Sequence, residues 1–259
     1  MIYIYAGDRD ISVWVLKALI NSGFKPSALL ISEAGRATHA SELVAMSGLP
    51  FELIFEGKEF ELLESIQIMN DIEPEYIFGI HFPYLINKEI LNIPKIGFLN
   101  LHPSFLPFNR GWHTPSWAIL DKTPIGATLH FMSEGLDAGD VIHQIRLNIT
   151  SCDTANSLYQ KLKELELKVF IEALPGLISG TFERTPLNIS NGTVHKQREL
   201  FNSEIQRIDI NRLYKGGDLL DKLRALTTNN WNEAAYFEHN QKKYRVRIEI
   251  IEDELSRID

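Results

Sequence analysis

An α/β fold built on a mostly parallel sheet is what this sequence predicts, on three observations. Short apolar runs alternate with amphipathic segments from the N-terminus to His102. Glycines stand just beyond the amphipathic segments, where helices end. The final stretch changes to strict alternation of apolar and polar residues. Strands alternating with helices make right-handed βαβ units, whose parallel sheet is covered on both faces.

The elements follow in order. "IYIY" (2–5) is a buried strand ending at Gly7. "ISVWVLKALINSG" (11–23) is an amphipathic helix with Gly23 past its end, and "SALLI" (27–31) is the second strand. "HASELVAMSG" (39–48) is a short helix closed by Gly48. "FELIF" (51–55) is a third strand, "EFELLESIQIMN" (59–70) a helix, "EYIFGI" (75–80) a fourth strand and "IGFLNLH" (96–102) a fifth. After residue 120 "GATLHFM" and "VIHQIRL" flank a Gly-rich turn and are expected to pair antiparallel. A long helix starts near Thr154, with Ala155, Leu158, Leu162, Leu165, Val169 and Ala173 at helical spacing. Residues 181–210 are polar and irregular, and a domain boundary is placed there. "GDLLDKLRAL" is a short helix, and "EAAYFEHNQKKYRVRIEI" a hairpin connected by "HNQKK". The whole reads as a Rossmann-like sheet over residues 1–180 and a small C-terminal region over 181–259.

Composition narrows the function. The chain has 259 residues, 44% hydrophobic and 23% charged, enough for one large domain and a smaller one. Its net charge of −8 argues against nucleic acid as the partner. Cys152 is the single cysteine, so no internal disulfide and no CxxC zinc site can form; a reducing cytoplasm fits. "MIYIYAGDRD" has no basic region or long apolar run, so no signal peptide is expected. No apolar stretch reaches the roughly 20 residues of a membrane span.

Asn100 and His102 lie at i and i+2 on the fifth strand, so their side chains share a face. They stand at the carboxyl end of a parallel strand, where open α/β sheets bind ligands. An Asn amide can donate to a developing oxyanion, and a His exchanges protons near neutral pH. The pair suits acyl transfer, with a carboxylate wanted beside the imidazole. "SEGLDAGD" offers Asp137 and Asp140. Behind the pair runs "HPSFLPFNRGWHTPSWAI", where Pro103 and Pro107 stiffen the backbone. Such a loop holds a shaped wall beside a reacting group. Arg110 is either an anion ligand or a loop-locking cation, and Trp112 and Trp117 are packing residues.

"NLHPSFLPFNRG", "GATLHFM" and "EGLDAGDVI" together resemble the formyltransferase family that uses 10-formyltetrahydrofolate. The resemblance implies that an amine attacks the formyl carbon. Asn100 would donate to the oxyanion, His102 would stabilise it or take the amine's proton, and Asp137 would hold the charge of His102. Asp140 would be structural. The folate would lie between Ile80, His81, Phe82 and Leu85 on one side and Glu134, Gly135 and Asp137 on the other. Within the family, the loop, "HKQREL", "LLDKLRAL" and the final hairpin look like sugar N-formyltransferases acting on nucleotide-linked amino sugars. The implied substrate is a dTDP-linked amino-dideoxyhexose for a bacterial O-antigen, first dTDP-4-amino-4,6-dideoxyglucose, then the 3-amino isomers. Ser104, Phe105, Leu106 and Pro107 would wall the sugar. The resembling sugar enzymes also use the final hairpin at a two-fold interface, which implies a homodimer.

Other readings stay open beside this one. Gly7, Asp8 and Arg9 in "YAGDRDIS" form a helix N-terminus able to receive a phosphate, without the GxGxxG of a dinucleotide site. Lys196 and Arg198 are either a diphosphate pair or a solvated cluster. Tyr214, Trp231 and Tyr236 could stack on a base or simply pack. His102, His113, His130 and His143 match no metal-ligand spacing, so no metal is expected. Methionyl-tRNA and glycinamide ribonucleotide formyltransferases, the enzyme that formylates UDP-4-amino-arabinose, and a non-catalytic binding module are the alternatives. The acidic chain counts against tRNA.

Overall fold

The computed structural model describes residues 1–253. Its elements are β1 (Tyr3–Gly7), α1 (Arg9–Asn21), β2 (Ala28–Ile31), α2 (Ala40–Ser47), β3 (Ile54–Glu56), α3 (Leu63–Asp71), β4 (Tyr76–Ile80), α4 (Lys88–Leu91) and β5 (Gly97–His102). They continue with β6 (Arg110–Gly111), α5 (Thr114–Leu120), β7 (Ile125–Phe131), β8 (Val141–Leu147), α6 (Ala155–Ser179) and β9 (Val194–His195). The last are α7 (Ser203–Gln206), α8 (Gly216–Ala225), β10 (Ala235–His239) and β11 (Lys242–Val246).

A seven-stranded sheet runs in the order β3-β2-β1-β4-β5-β7-β8. β1 to β5 pair in parallel and β7 joins β5 antiparallel. The predicted mostly parallel sheet is therefore present. Its strands are apolar on both faces because helices cover both: Tyr3, Ile4, Tyr5, Tyr76, Ile77 and Phe78 are all fully buried. Strand order reverses between β1 and β4, and their carboxyl ends, Gly7 and Ile80, lie side by side. Open α/β sheets bind ligands at such a reversal. Gly48 closes α2 in the left-handed conformation, φ 64°, as expected of its position.

Three elements differ from the sequence reading. "FELIF" begins as a 3-10 turn at Phe51–Leu53 and only then extends as β3. Pro50 before it sets that turn, and Phe51 is 83% exposed. The next segment breaks at Leu62, with a 3-10 turn at Glu59–Glu61 before α3. The hairpin is shorter than its sequence pattern: Asn240 and Gln241 make the connection, both at positive φ, and β11 ends at Val246. Ile248 and Ile250 lie beyond the strand, and the Ile248 amide donates to Thr227 Oγ1 instead.

The chain divides into two compact units, each discontinuous in sequence. The first comprises residues 1–102, 127–145 and 163–189; the second comprises 103–126, 146–162 and 190–259. In the second, the rigid stretch after His102 carries α5 and β6, which its Pro- and aromatic-rich sequence conceals. β6 pairs with β9, and Asn109 is tied to Thr193 and to the Pro124 carbonyl. A Cβ on Gly192 would stand 2.3 Å from the Pro107 carbonyl oxygen, so only glycine lets these two backbones meet. The stretch read as irregular is thus what fastens this loop. Among the described residues, no helix is long and apolar enough to cross a membrane.

Candidate active site

Antiparallel register sets the site. Asn100 pairs with His130 and His102 with Thr128, so β5 and β7 present these side chains on one face. Asp137 reaches them from the turn between β7 and β8, held at φ 45°. A left-handed backbone is uncommon for a residue other than glycine and clusters at functional sites. Asp137 Oδ2 lies 3.5 Å from His102 Nε2, and its Oδ1 accepts from Asn100 Nδ2 at 3.3 Å. Asn100 Nδ2 also lies 3.2 Å from His130 Nε2. The predicted Asn-His-Asp set is therefore gathered into one cluster, with His130 as a fourth member.

His102 is 7% exposed, and its Nε2 is buried without a hydrogen-bond partner among the described residues. A buried, unsatisfied imidazole nitrogen costs free energy unless something completes it. His130 is fully desolvated, which pushes its imidazole down to about 4; Asp137 opposes that shift and His102 adds to it. Asp140 turns away to Arg184 at 3.1 Å, in keeping with its structural reading.

The residues expected around a folate are divided in their exposure. Ile80 is fully buried, and its carbonyl accepts from the Asp8 amide at 3.4 Å. Phe82 packs on Phe60 and Tyr84, with ring centroids 5.4 and 5.0 Å away. Leu85 is 85% exposed, and Glu134 pairs with Lys88 at 2.7 Å. Gly135 sits where a Cβ would come within 3.0 Å of Ala138. His81, at φ 52°, turns its Nε2 to within 2.7 Å of buried Glu166.

At the β1 end, Asp8 anchors a loop. It is 1% exposed, and its carboxylate accepts from Ser32 Oγ, Thr38 N, Thr38 Oγ1 and His39 N. The Thr38 and His39 bonds outweigh burial and hold its carboxyl below the usual range. Arg9 is different: it is exposed, at φ 71°, its amide donating to Thr38 Oγ1 and its carbonyl accepting from Ser12 Oγ.

In the second unit, Ser104 and Leu106 are buried while Phe105 and Pro107 are half-buried. Trp117 stacks flat on His195, centroids 4.0 Å apart, as a packing residue. Trp112 stays 44% exposed. Lys196 and Arg198 are exposed, and the Lys196 carbonyl accepts from the Glu199 amide at 3.0 Å. Tyr236 is buried under Lys243, the Tyr214 hydroxyl accepts from the Asp209 amide, and Trp231 lies under Arg247. No group of three or more metal-ligating side chains exists among the described residues.

A family model described as formyl transferase matches residues 23–174, which include the whole cluster. The chain belongs to the formyl transferase family. It is thus an enzyme family member, and a second model, the N-formyltransferase dimerization C-terminal domain, matches residues 202–252. A dTDP-4-amino-4,6-dideoxyglucose formyltransferase of Mycobacterium tuberculosis is 31% identical over 151 residues, 58% of this formyl transferase and 63% of that protein. A methionyl-tRNA formyltransferase of Geobacillus is 29% identical over 232 residues, 86% of this chain and 70% of that one. In structure the chain resembles a 4-N formyltransferase from Francisella tularensis, with a TM-score of 0.79 at 23% identity, covering 97% and 98% of the two chains. It also resembles an N-formyltransferase from Helicobacter canadensis in complex with folinic acid and dTDP-3-aminofucose, with a TM-score of 0.65 at 21% identity, covering 94% and 86%.

Proposed function

We propose that this formyl transferase moves a formyl group from 10-formyltetrahydrofolate to the amine of a dTDP-linked amino-dideoxyhexose. The 4-amino-4,6-dideoxyglucose nucleotide is the first choice and a 3-amino isomer the second, for a bacterial lipopolysaccharide O-antigen made in the cytoplasm. The observation that carries the chemistry is the Asn100–His102–Asp137 cluster, with His102 Nε2 facing Asp137 at 3.5 Å and free of hydrogen bonds among the described residues. The dimerization C-terminal domain and the 31% identical sugar enzyme support the choice of amine.

In the reaction a bond forms between the amine nitrogen and the formyl carbon, and the bond from that carbon to N10 breaks. Asn100 donates to the oxygen that becomes negative. His102 receives the amine's proton on Nε2, which makes no hydrogen bond among the described residues, and Asp137, 3.5 Å from that nitrogen, stabilises the resulting charge. N10 leaves with a proton in exchange. His81, Phe82, Leu85, Glu134 and Gly135 border the folate, with the backbone of Ile80 beside them. The buried pterin edge is then recognised through main-chain groups. Gly7, Asp8 and Arg9 are the proposed contacts to the nucleotide's phosphate or sugar, and Lys196 and Arg198 its proposed diphosphate partners. Phe105 and Pro107 wall the sugar, with Ser104 and Leu106 packed behind them. Residues 1–180 are the proposed catalytic portion and 181–259 the proposed dimerisation portion.

A methionyl-tRNA substrate is the second reading, favoured by the longer match to the Geobacillus enzyme. The net charge of −8 weighs against it, since a polyanion would be repelled. The test is incubation with 10-formyltetrahydrofolate and either a panel of nucleotide amino sugars or charged initiator tRNA, read by mass spectrometry. Formylation of the sugar amine is expected. A product on tRNA alone would refute the reading. Prior dialysis against a strong chelator is expected to leave the rate unchanged; loss restored by added zinc would overturn the metal-free mechanism.

The homodimer is proposed on the hairpin. Phe237 and Tyr244 pair directly and stack at 5.3 Å, yet Tyr244 remains 43% exposed. An isolated two-stranded hairpin is marginal in water, so a second copy covering this face would stabilise it. Light scattering should give a dimer for the full chain and a weaker one for Tyr244→Glu. A monomeric wild type, or a variant of unchanged affinity, would count against the hairpin interface.

A further inference from the structure

His130 stands outside the Asn-His-Asp set, yet it is the direct cross-strand partner of Asn100. Its ring is held at both nitrogens. Nδ1 lies 2.8 Å from the carbonyl of Phe131, which only accepts, so Nδ1 carries the proton. Nε2 then presents its lone pair to Asn100 Nδ2 at 3.2 Å. The residue is 1% exposed and sits inside a paired strand, so neither ring position has room to exchange.

The consequence falls on Asn100. A carboxamide can turn either its oxygen or its nitrogen to a given neighbour, and the two faces do opposite things to an oxyanion. Here both neighbours, His130 Nε2 and Asp137 Oδ1, are acceptors, so the nitrogen must face them. The two holds are unequal. Asp137 is shared with His102 and gives Asn100 the longer bond, 3.3 Å. His130 Nε2 stands 3.8 Å from Asp137 Oδ1, beyond hydrogen-bond reach, and among the described residues its lone pair serves Asn100 alone. When substrate arrives, the hydrogen aimed toward Asp137 is the one free to move to the reacting oxygen, while His130 keeps the other.

We propose that His130 is a positioning residue for formyl transfer: its Nε2 lone pair grips one hydrogen of the Asn100 amide and thereby aims the second at the reacting oxygen. The inference rests on the catalytic role given to Asn100 above. Burial keeps the ring uncharged near neutral pH, against the attraction of Asp137 and with the help of His102. A protonated ring would set donor against donor and release the amide. His130 thus has to stay neutral while His102 beside it accepts a proton.

One arm of the test needs no substrate. Two-bond proton–nitrogen NMR of the wild type should show His130 as the neutral Nδ1–H tautomer, unchanged between about pH 5.5 and 8.5. An Nε2–H tautomer, or titration inside that window, would overturn the proposal. The second arm is kinetic. His130→Leu should lower kcat by about 10–100-fold, with KM for the formyl donor within about twofold, because only aim is lost. His130→Gln, which can still accept, should stay within about threefold of wild type and serves if the Leu variant folds poorly. In the Asn100→Ala background, either His130 change should do nothing further. Losses that multiply in the double variant would show a role independent of Asn100 and sink the proposal. A wild type inactive on every amine would instead strike the proposed function, leaving the NMR arm to decide His130.

Discussion

Asn100→Ala and His102→Ala each lower kcat by about 10²–10³, while the chain still folds. One lost oxyanion donor costs that much in comparable sites. The size follows from what these side chains do in the resting structure. His102 Nε2 is buried with no hydrogen-bond partner among the described residues, and the Asn100–Asp137 bond is long. His102 Nε2 thus has bonding capacity left for the transition state, and Asn100 can exchange its long bond to Asp137 for the reacting oxygen while its bond to His130 Nε2 stays. Interactions made only there appear in kcat rather than KM. The measurements are steady-state kinetics and a thermal melt on each variant. Near-wild-type turnover by a folded variant would remove the mechanism. A fall in melting temperature large enough to explain the lost activity would reassign the residue to structure.

Much of this was legible from residue order alone, because strand–helix alternation and an i, i+2 pair are local patterns. β5 and its Asn100 and His102 stand where the sequence puts them. Asp137 was reached through resemblance rather than geometry, and its left-handed backbone, which brings it onto the pair, carries no local signal. His130 was counted only among scattered histidines. Its partnership with Asn100 depends on the register of β7 against β5, which is set by long-range pairing. The distance between Asn100 and His130 in sequence hides a direct cross-strand contact. Asp8 also has a role with no local signal. An acid beside a Gly at a strand end looks like a ligand contact, but the loop from Ser32 to His39 folds back onto it. "FELIF" was read as a strand on apolarity alone, although Pro50 had already started a turn. The loop after His102 hid α5 because Pro115 reads as a breaker, while at the first turn of a helix it is tolerated.

The largest stability effect is expected at His81 and Glu166. Glu166 is 0% exposed on α6, its Oε1 lies 2.7 Å from His81 Nε2, and its Oε2 has no hydrogen-bond partner among the described residues. One turn earlier on the same helix, Lys163 reaches Asp10 at 2.6 Å. These two contacts tie α6 to the chain leaving β4 and to the first turn of α1, at the strand-order reversal. His81→Phe deletes the hydrogen-bond partner of Glu166 Oε1 in a carboxylate whose Oε2 has none among the described residues. Breaking a buried pair from one side costs about 3–5 kcal/mol, because the surviving charge is left uncompensated. Glu166→Gln keeps an acceptor for the ring without the charge, and about 1 kcal/mol or less is expected. Replacing both, as His81→Phe with Glu166→Leu, should recover most of the loss, since nothing buried is then left unpaired. Urea unfolding of the wild type and these three variants at one pH reads the differences directly. If His81→Phe costs no more than Glu166→Gln, or the double variant is no better than His81→Phe alone, the buried pair is not what fixes α6 at the carboxyl end of β4.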